Sequence, residues 1–139
     1  MATRFTPHGE FKAYVDGRII VSEVTGPWNR ELVLTWANEM FVYGKQLSAS
    51  GPYVGIAVIR GSMLCPPDAL DALRDAIGYG TKKLGCVGNV LVAAADVEGR
   101  KLLLPSYEKL YDDDTPHRIY HDFDKARAWA LELLAARGV

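Results

Sequence analysis

The 139-residue chain has no long hydrophobic run, little cysteine and almost no net charge. No window holds the roughly 18 uncharged apolar residues that a membrane-crossing helix needs, so no membrane span is expected. Two cysteines, Cys65 and Cys86, are too few for a disulfide framework. Met1 to Gly9 lack the apolar stretch of an export signal and read as a flexible leader. The expectation is therefore a cytoplasmic protein with both thiols reduced. Basic and acidic side chains nearly cancel, leaving a formal charge of −1. No long-range field would draw a polyanion, so nucleic acid is not an expected partner.

Signature motifs are scarce too. Neither GxGxxG nor a P-loop occurs. Gly78 and Gly80 fall inside a helical pattern, and Gly85 and Gly88 lie between a helix and a strand. A phosphate cradle runs the other way, from strand to helix. Gly61-Ser62-Met63 lacks the second glycine of a nucleophile elbow. Asp112-Asp113-Asp114 lacks the spaced ligands and bend-forming glycine of a calcium loop and reads as a solvated turn. His117 and His121, read as strand residues, stand about 13 Å apart at about 3.3 Å per residue, too far to share an ion. His8 falls in the leader. No metal and no cofactor are expected. With no convergent catalytic set, the sequence favours a noncatalytic protein over an enzyme.

What the chain does contain is a regular alternation of strand and helix patterns. Glu10 to Asp16 places Phe11, Ala13 and Val15 on one face, and Asp16-Gly17 signals a tight antiparallel hairpin into Arg18 to Thr25. Asn29 is an N-cap for a helix whose stripe is Val33, Trp36, Ala37, Met40, Phe41 and Leu47, with Gly44 on the same line. Tyr53 to Arg60 and Cys86 to Ala95 are nearly unbroken apolar runs, the pattern of strands covered on both faces. Between them a helix opens at Pro66 or Pro67, with Asp68 and Asp71 near its positive end and Lys82 and Lys83 at its negative end. Asp96 is read as the cap of a helix through Leu103, interrupted by Pro105 and followed by a shorter piece from Ser106 to Tyr111. His117 to His121 is a short strand. Asp122 caps a last helix with the stripe Phe123, Ala126, Trp129, Ala130, Leu133 and Leu134. The order ββαβαβαβα predicts one α/β domain over residues 10–139: an opening antiparallel hairpin, then a mostly parallel sheet with about four helices.

The stretch Arg118-Ile119-Tyr120-His121-Asp122-Phe123, followed by Ala126 and Trp129, resembles the closing strand, acidic cap and final helix of the SpoIIAA-like proteins. These belong to the wider STAS-like fold (sulfate transporter and anti-sigma factor antagonist). Tyr14-Val15-Asp16-Gly17-Arg18 and Gly26-Pro27-Trp28 are compatible with that group, and the element order matches from about Phe11 to Leu134. The resemblance implies a small cytoplasmic protein without assigned chemistry, in some members a dimer. One motif of the anti-sigma antagonists is missing. They carry a phosphorylatable Ser directly after an Asp at the start of a helix, whereas here Ser62 follows Arg60-Gly61, several residues before the helix. The phosphorylation switch is therefore not carried over.

Three functional readings follow. The first is a noncatalytic STAS-like interaction module that binds a protein partner or a second copy of itself. Its expected surface is Gly61, Ser62, Met63, Leu64 and Cys65, together with Trp28 at a strand end. The second is a carrier of a small apolar ligand or lipid, with Met63, Leu64 and Leu102-Leu103-Leu104 as candidate lining. The third is a thiol enzyme or redox sensor using Cys65, which lies at the C-terminal end of a buried strand and just before a helix N-terminus, where a thiol pKa falls.

Overall fold

Residues 9–139 are described by a computed structural model. The proposed leader and His8 fall, apart from Gly9, outside them. Strands β1 (Glu10–Asp16) and β2 (Ile19–Thr25) form the expected antiparallel hairpin. Asp16 pairs with Ile19, so the two loop residues are Gly17 and Arg18. Gly17 has φ of +60°, a left-handed value that its missing Cβ permits.

Helix α1 (Arg30–Ser48) starts where Asn29 accepts a hydrogen bond from the Leu32 amide at 3.1 Å. Its last turn is fastened by Arg18, whose guanidinium donates to the Leu47 and Gly51 carbonyls and, through Nε, to Pro52. A cation there also meets the negative end of the helix dipole. Strand β3 (Tyr53–Arg60), helix α2 (Pro67–Lys83) and strand β4 (Cys86–Ala93) follow. Pro67 takes the first helical position, where a missing N–H costs nothing.

Helix α3 (Arg100–Glu108) departs from the sequence reading. Its N-cap is Gly99, not Asp96, and it runs unbroken through Pro105. Pro105 removes the donor for the Lys101 carbonyl, but both residues are exposed, so water can serve it. Strand β5 (His117–Tyr120) and helix α4 (Phe123–Ala136) close the fold. Asp122 caps α4 by accepting from the Asp124 amide at 3.0 Å.

The sheet order is β1-β2-β3-β4-β5; only the first pair is antiparallel. The two apolar runs are thus parallel neighbours, with β3 in the middle. Alternate residues divide the sheet between two cores. Ile19, Val21, Val54, Ile56, Val58, Val90 and Val92 meet Ala126, Ala130 and Leu134 of α4. Val24, Ile59, Leu91 and Ala93 meet α1, α2 and the end of α3. Among the described residues no helix is long and apolar enough to cross a membrane.

Candidate functional site

At its centre the second face of the sheet carries smaller side chains than the first. Along β3, Val54, Ile56 and Val58 point to α4, whereas Gly55 and Ala57 point to α1 and α2. The register extends this across the strands. Ile20, Gly55, Asn89 and His117 form one rung, and Ser22, Ala57, Leu91 and Ile119 the next. Because the middle of these rungs carries so little volume, a cavity of about 80 Å³ remains between the sheet and the helices. Gly55 and Ala57 are partly accessible in the centre of the sheet, so β3 is not sealed on both faces as its composition predicts.

The walls are mainly apolar. Trp36, Met40 and Phe41 of α1 stand over the floor, with Leu73, Ala76 and Ile77 of α2 beside them. Trp28 and Tyr107 close one end. The Trp28 indole donates to the Tyr107 hydroxyl at 3.0 Å, and that hydroxyl donates to the Met63 carbonyl at 2.8 Å. Trp28 and Trp36 meet edge to face with centroids 6.1 Å apart, and the Trp36 indole donates to Ser22 Oγ at 3.0 Å. Thus the polar atoms at this end are paired with one another.

The other end differs. Tyr53 reaches between Gly44 of α1 and Gly80 of α2; a Cβ on Gly44 would lie 2.6 Å from its hydroxyl. Cys86 pairs with Tyr53 in register and donates to the Gly88 carbonyl at 3.2 Å. Tyr111 stacks on His117 with centroids 5.0 Å apart, and His117 Nδ1 bonds the Thr115 carbonyl. Burial pushes the hydroxyls of Tyr53 and Tyr111 up, so both stay protonated at neutral pH. A groove of about 390 Å³ between the C-terminal half of α2 and the turn after α3 shares Ile77, Asn89, Leu110 and Tyr111 with the cavity. Lys82 and Asp112 form an ion pair of 3.8 Å at this groove.

Of the six residues proposed from sequence as a ligand or partner surface, only Trp28 lines the cavity. Ser62, Met63 and Cys65 are buried, while Gly61 and Leu64 are exposed. The loop is therefore not the open surface expected. Backbone bonds hold it inward: Trp28 donates to Leu64, Met63 to Glu98, and Glu98 to Gly61. Met63, Leu64 and Leu102 to Leu104 do not line the cavity either; Leu102 is 75% exposed. Cys65 does lie before a helix, but Pro66 and Pro67 have no N–H to offer it. Burial pushes its thiol up to about 12, with Asp68 adding to the rise against a hydrogen bond shared with Tyr107. Cys86 is likewise pushed up by burial, to about 11. A nucleophilic thiol needs the opposite shift.

Asn89, Tyr53 and Tyr111 were not singled out from sequence. The available signal was within β3, where Gly55 and Ala57 are small while Val54, Ile56 and Val58 stay β-branched. Period-two patterns of this kind report what each face must hold. Among the described residues no group of three or more His, Cys, Asp or Glu could hold a metal ion. The chain matches no family model, no curated protein and no solved structure.

Proposed function

We propose that this chain is a noncatalytic STAS-like module whose working element is the interior cavity, and that the cavity holds a small apolar ligand. The observation that carries the reading is the patch of small side chains Ser22, Gly55 and Ala57, on two adjacent rungs at the centre of the sheet, facing a space of about 80 Å³. Close packing is the rule in protein interiors, and an unfilled space forfeits contacts on every wall. A central strand that carries glycine and alanine on one face alone, opposite large aromatic side chains, leaves room for something else.

The size sets the class of ligand. An engineered apolar cavity of about 150 Å³ accommodates benzene. This cavity is smaller, but Met40 in its wall has a flexible side chain, and the groove beside Tyr111 shares four wall residues with it. A single ring or a short alkyl chain fits that scale; a full-length lipid does not. The mixed sheet with four helices agrees with a STAS-like fold. The reading as a protein-interaction module has less support, because most of the loop assigned to it is folded inward.

Native mass spectrometry of freshly purified protein tests this directly. Bound mass that small apolar additives displace is the expected result. Apoprotein alone, together with unchanged fluorescence of the cavity residues Trp28 and Trp36 on adding such compounds, would remove the proposal.

A further inference from the structure

Resting on that reading, we infer that the cavity selects an uncharged ligand bearing one hydrogen-bonding oxygen, of the class of a small phenol or alcohol. Two features of the wall lead there. The first is the absence of charge: among the described residues no Asp, Glu, Lys or Arg lines the cavity. An ionised group taken inside would lose its hydration and meet no counter-ion, which is the costliest form of burial.

The second is an unequal distribution of satisfied polar atoms. At the Trp28 end, both indoles, Tyr107 and the Met63 carbonyl are bonded to protein partners. At the opposite end, the Tyr53 hydroxyl, the Tyr111 hydroxyl and the Asn89 amide nitrogen have no hydrogen-bond partner among the described residues. Among the described residues no side-chain nitrogen or oxygen sealed from solvent lacks a partner, so these three atoms face accessible space. The sheet register groups them. Tyr53 lies two residues before Gly55, which pairs with Asn89, which pairs with His117, on which Tyr111 stacks. All three can donate a hydrogen bond, and a ligand hydroxyl oxygen, with two lone pairs, can accept from two of them at most. Water serves them until a ligand arrives; an apolar body seated there without an oxygen would strip that water and leave them unpaired, which is costly. The ligand's oxygen therefore lies at this end, next to the groove, with its apolar body toward Trp28 and Trp36.

Titration of the full-length, ¹⁵N-labelled chain with phenol, benzene and benzoate at pH 7 tests the inference. The indole N–H signals of Trp28 and Trp36 are the reporters. Trp129 packs on the opposite face of the sheet and serves as the internal control. Phenol and benzene are expected to move the two cavity indoles but not the third, phenol binding about fivefold more tightly, as one net hydrogen bond predicts. Benzoate is expected to move neither. Replacing Tyr53→Phe and Tyr111→Phe together should bring phenol to within about twofold of benzene while leaving benzene unchanged. Equal affinity of wild-type protein for phenol and benzene would overturn the polar selection yet leave the cavity reading standing. Benzoate bound as well as phenol would overturn neutrality. Silence of both indoles toward all three would remove the inference and the reading beneath it. The wild-type comparison decides even if the double variant fails to fold.

Discussion

The two faces of the sheet are made by alternate residues of the same strands, yet they solve different problems. The face under α4 is a filled core of Ile19, Val21, Val54, Ile56, Val58, Val90 and Val92 against two alanines and a leucine. The face under α1 and α2 carries Ser22, Gly55, Ala57 and Asn89 at the same depth and keeps a space. Because neighbouring positions share one backbone, strand propensity cannot explain the difference. It lies in side-chain volume alone. One face contributes stability by exclusion of water; the other gives up part of that contribution to leave room.

This contrast is open to experiment. Ile19→Ala, on the filled face, is expected to lower stability by about 3 kcal/mol, the usual cost of emptying a closed core site. Equilibrium denaturation with urea measures it, and a loss under 1 kcal/mol would mean that this face is no tighter than the other. Next in size is Tyr107→Phe, expected to cost about 2 kcal/mol. It leaves the Trp28 indole N–H and the Met63 carbonyl unpaired within the core. The same urea titration serves, and a neutral result would show that the hydrogen-bonded end of the cavity admits water.

The thiols give a pH dependence. Burial raises Cys65 from 9.0 to about 12 and Cys86 from 9.0 to about 11, so the folded chain keeps protons that the unfolded chain releases. Their contribution is complete below pH 9 and is lost as pH rises from 9 toward 11 to 12. At pH 9.5 the fall from the two thiols should be about 2 kcal/mol, and most of it should be absent in a Cys65→Ala, Cys86→Ala variant. Alkylation of either thiol by iodoacetamide at pH 8 should track unfolding. A Cys65 that reacts rapidly in the folded state would instead restore the thiol reading.

Ala57→Val turns the comparison around. Two added methyl groups enter the cavity, and stability should rise by about 1 kcal/mol while ligand binding is lost. A destabilised variant that still binds would indicate that the space is not where the ligand sits. The smallest effect is expected outside both cores. The Arg127 guanidinium holds the Asp16 carboxyl below its ordinary 3.8 across an ion pair of 2.8 Å. Its contribution is present above that value and lost as pH falls below it, so thermal melts from pH 5 to pH 2 should drop slightly less steeply for Asp16→Asn.

Much of the architecture was legible because its signals are local. A glycine after Asp16 turns the hairpin, and Asn29 and Asp122 bond their own helix starts. The apolar runs through Ile56 and Leu91 mark interior strands. Where the reading slipped, a non-local partner decided. Asp96 had the chemistry of a cap, but the chain delays the helix to Gly99 while the Met63 and Glu98 backbones pair. The loop from Gly61 to Cys65 had the composition of an exposed turn, but Tyr107, 44 positions beyond Met63, bonds its carbonyl and draws it inward.

The sequence by itself determined the order of elements, their caps and turns, and the alternation of large and small side chains along β3, because each depends on residues within a turn or two of one another. Only the tertiary structure decided that Ser22, Gly55 and Ala57 lie side by side beneath Trp36 and Leu73, and that Tyr53, Asn89 and Tyr111 share one end of the space they leave. Volume and hydrogen bonding in an interior are properties of neighbours in space, and register and helix packing choose those neighbours after the local elements have formed.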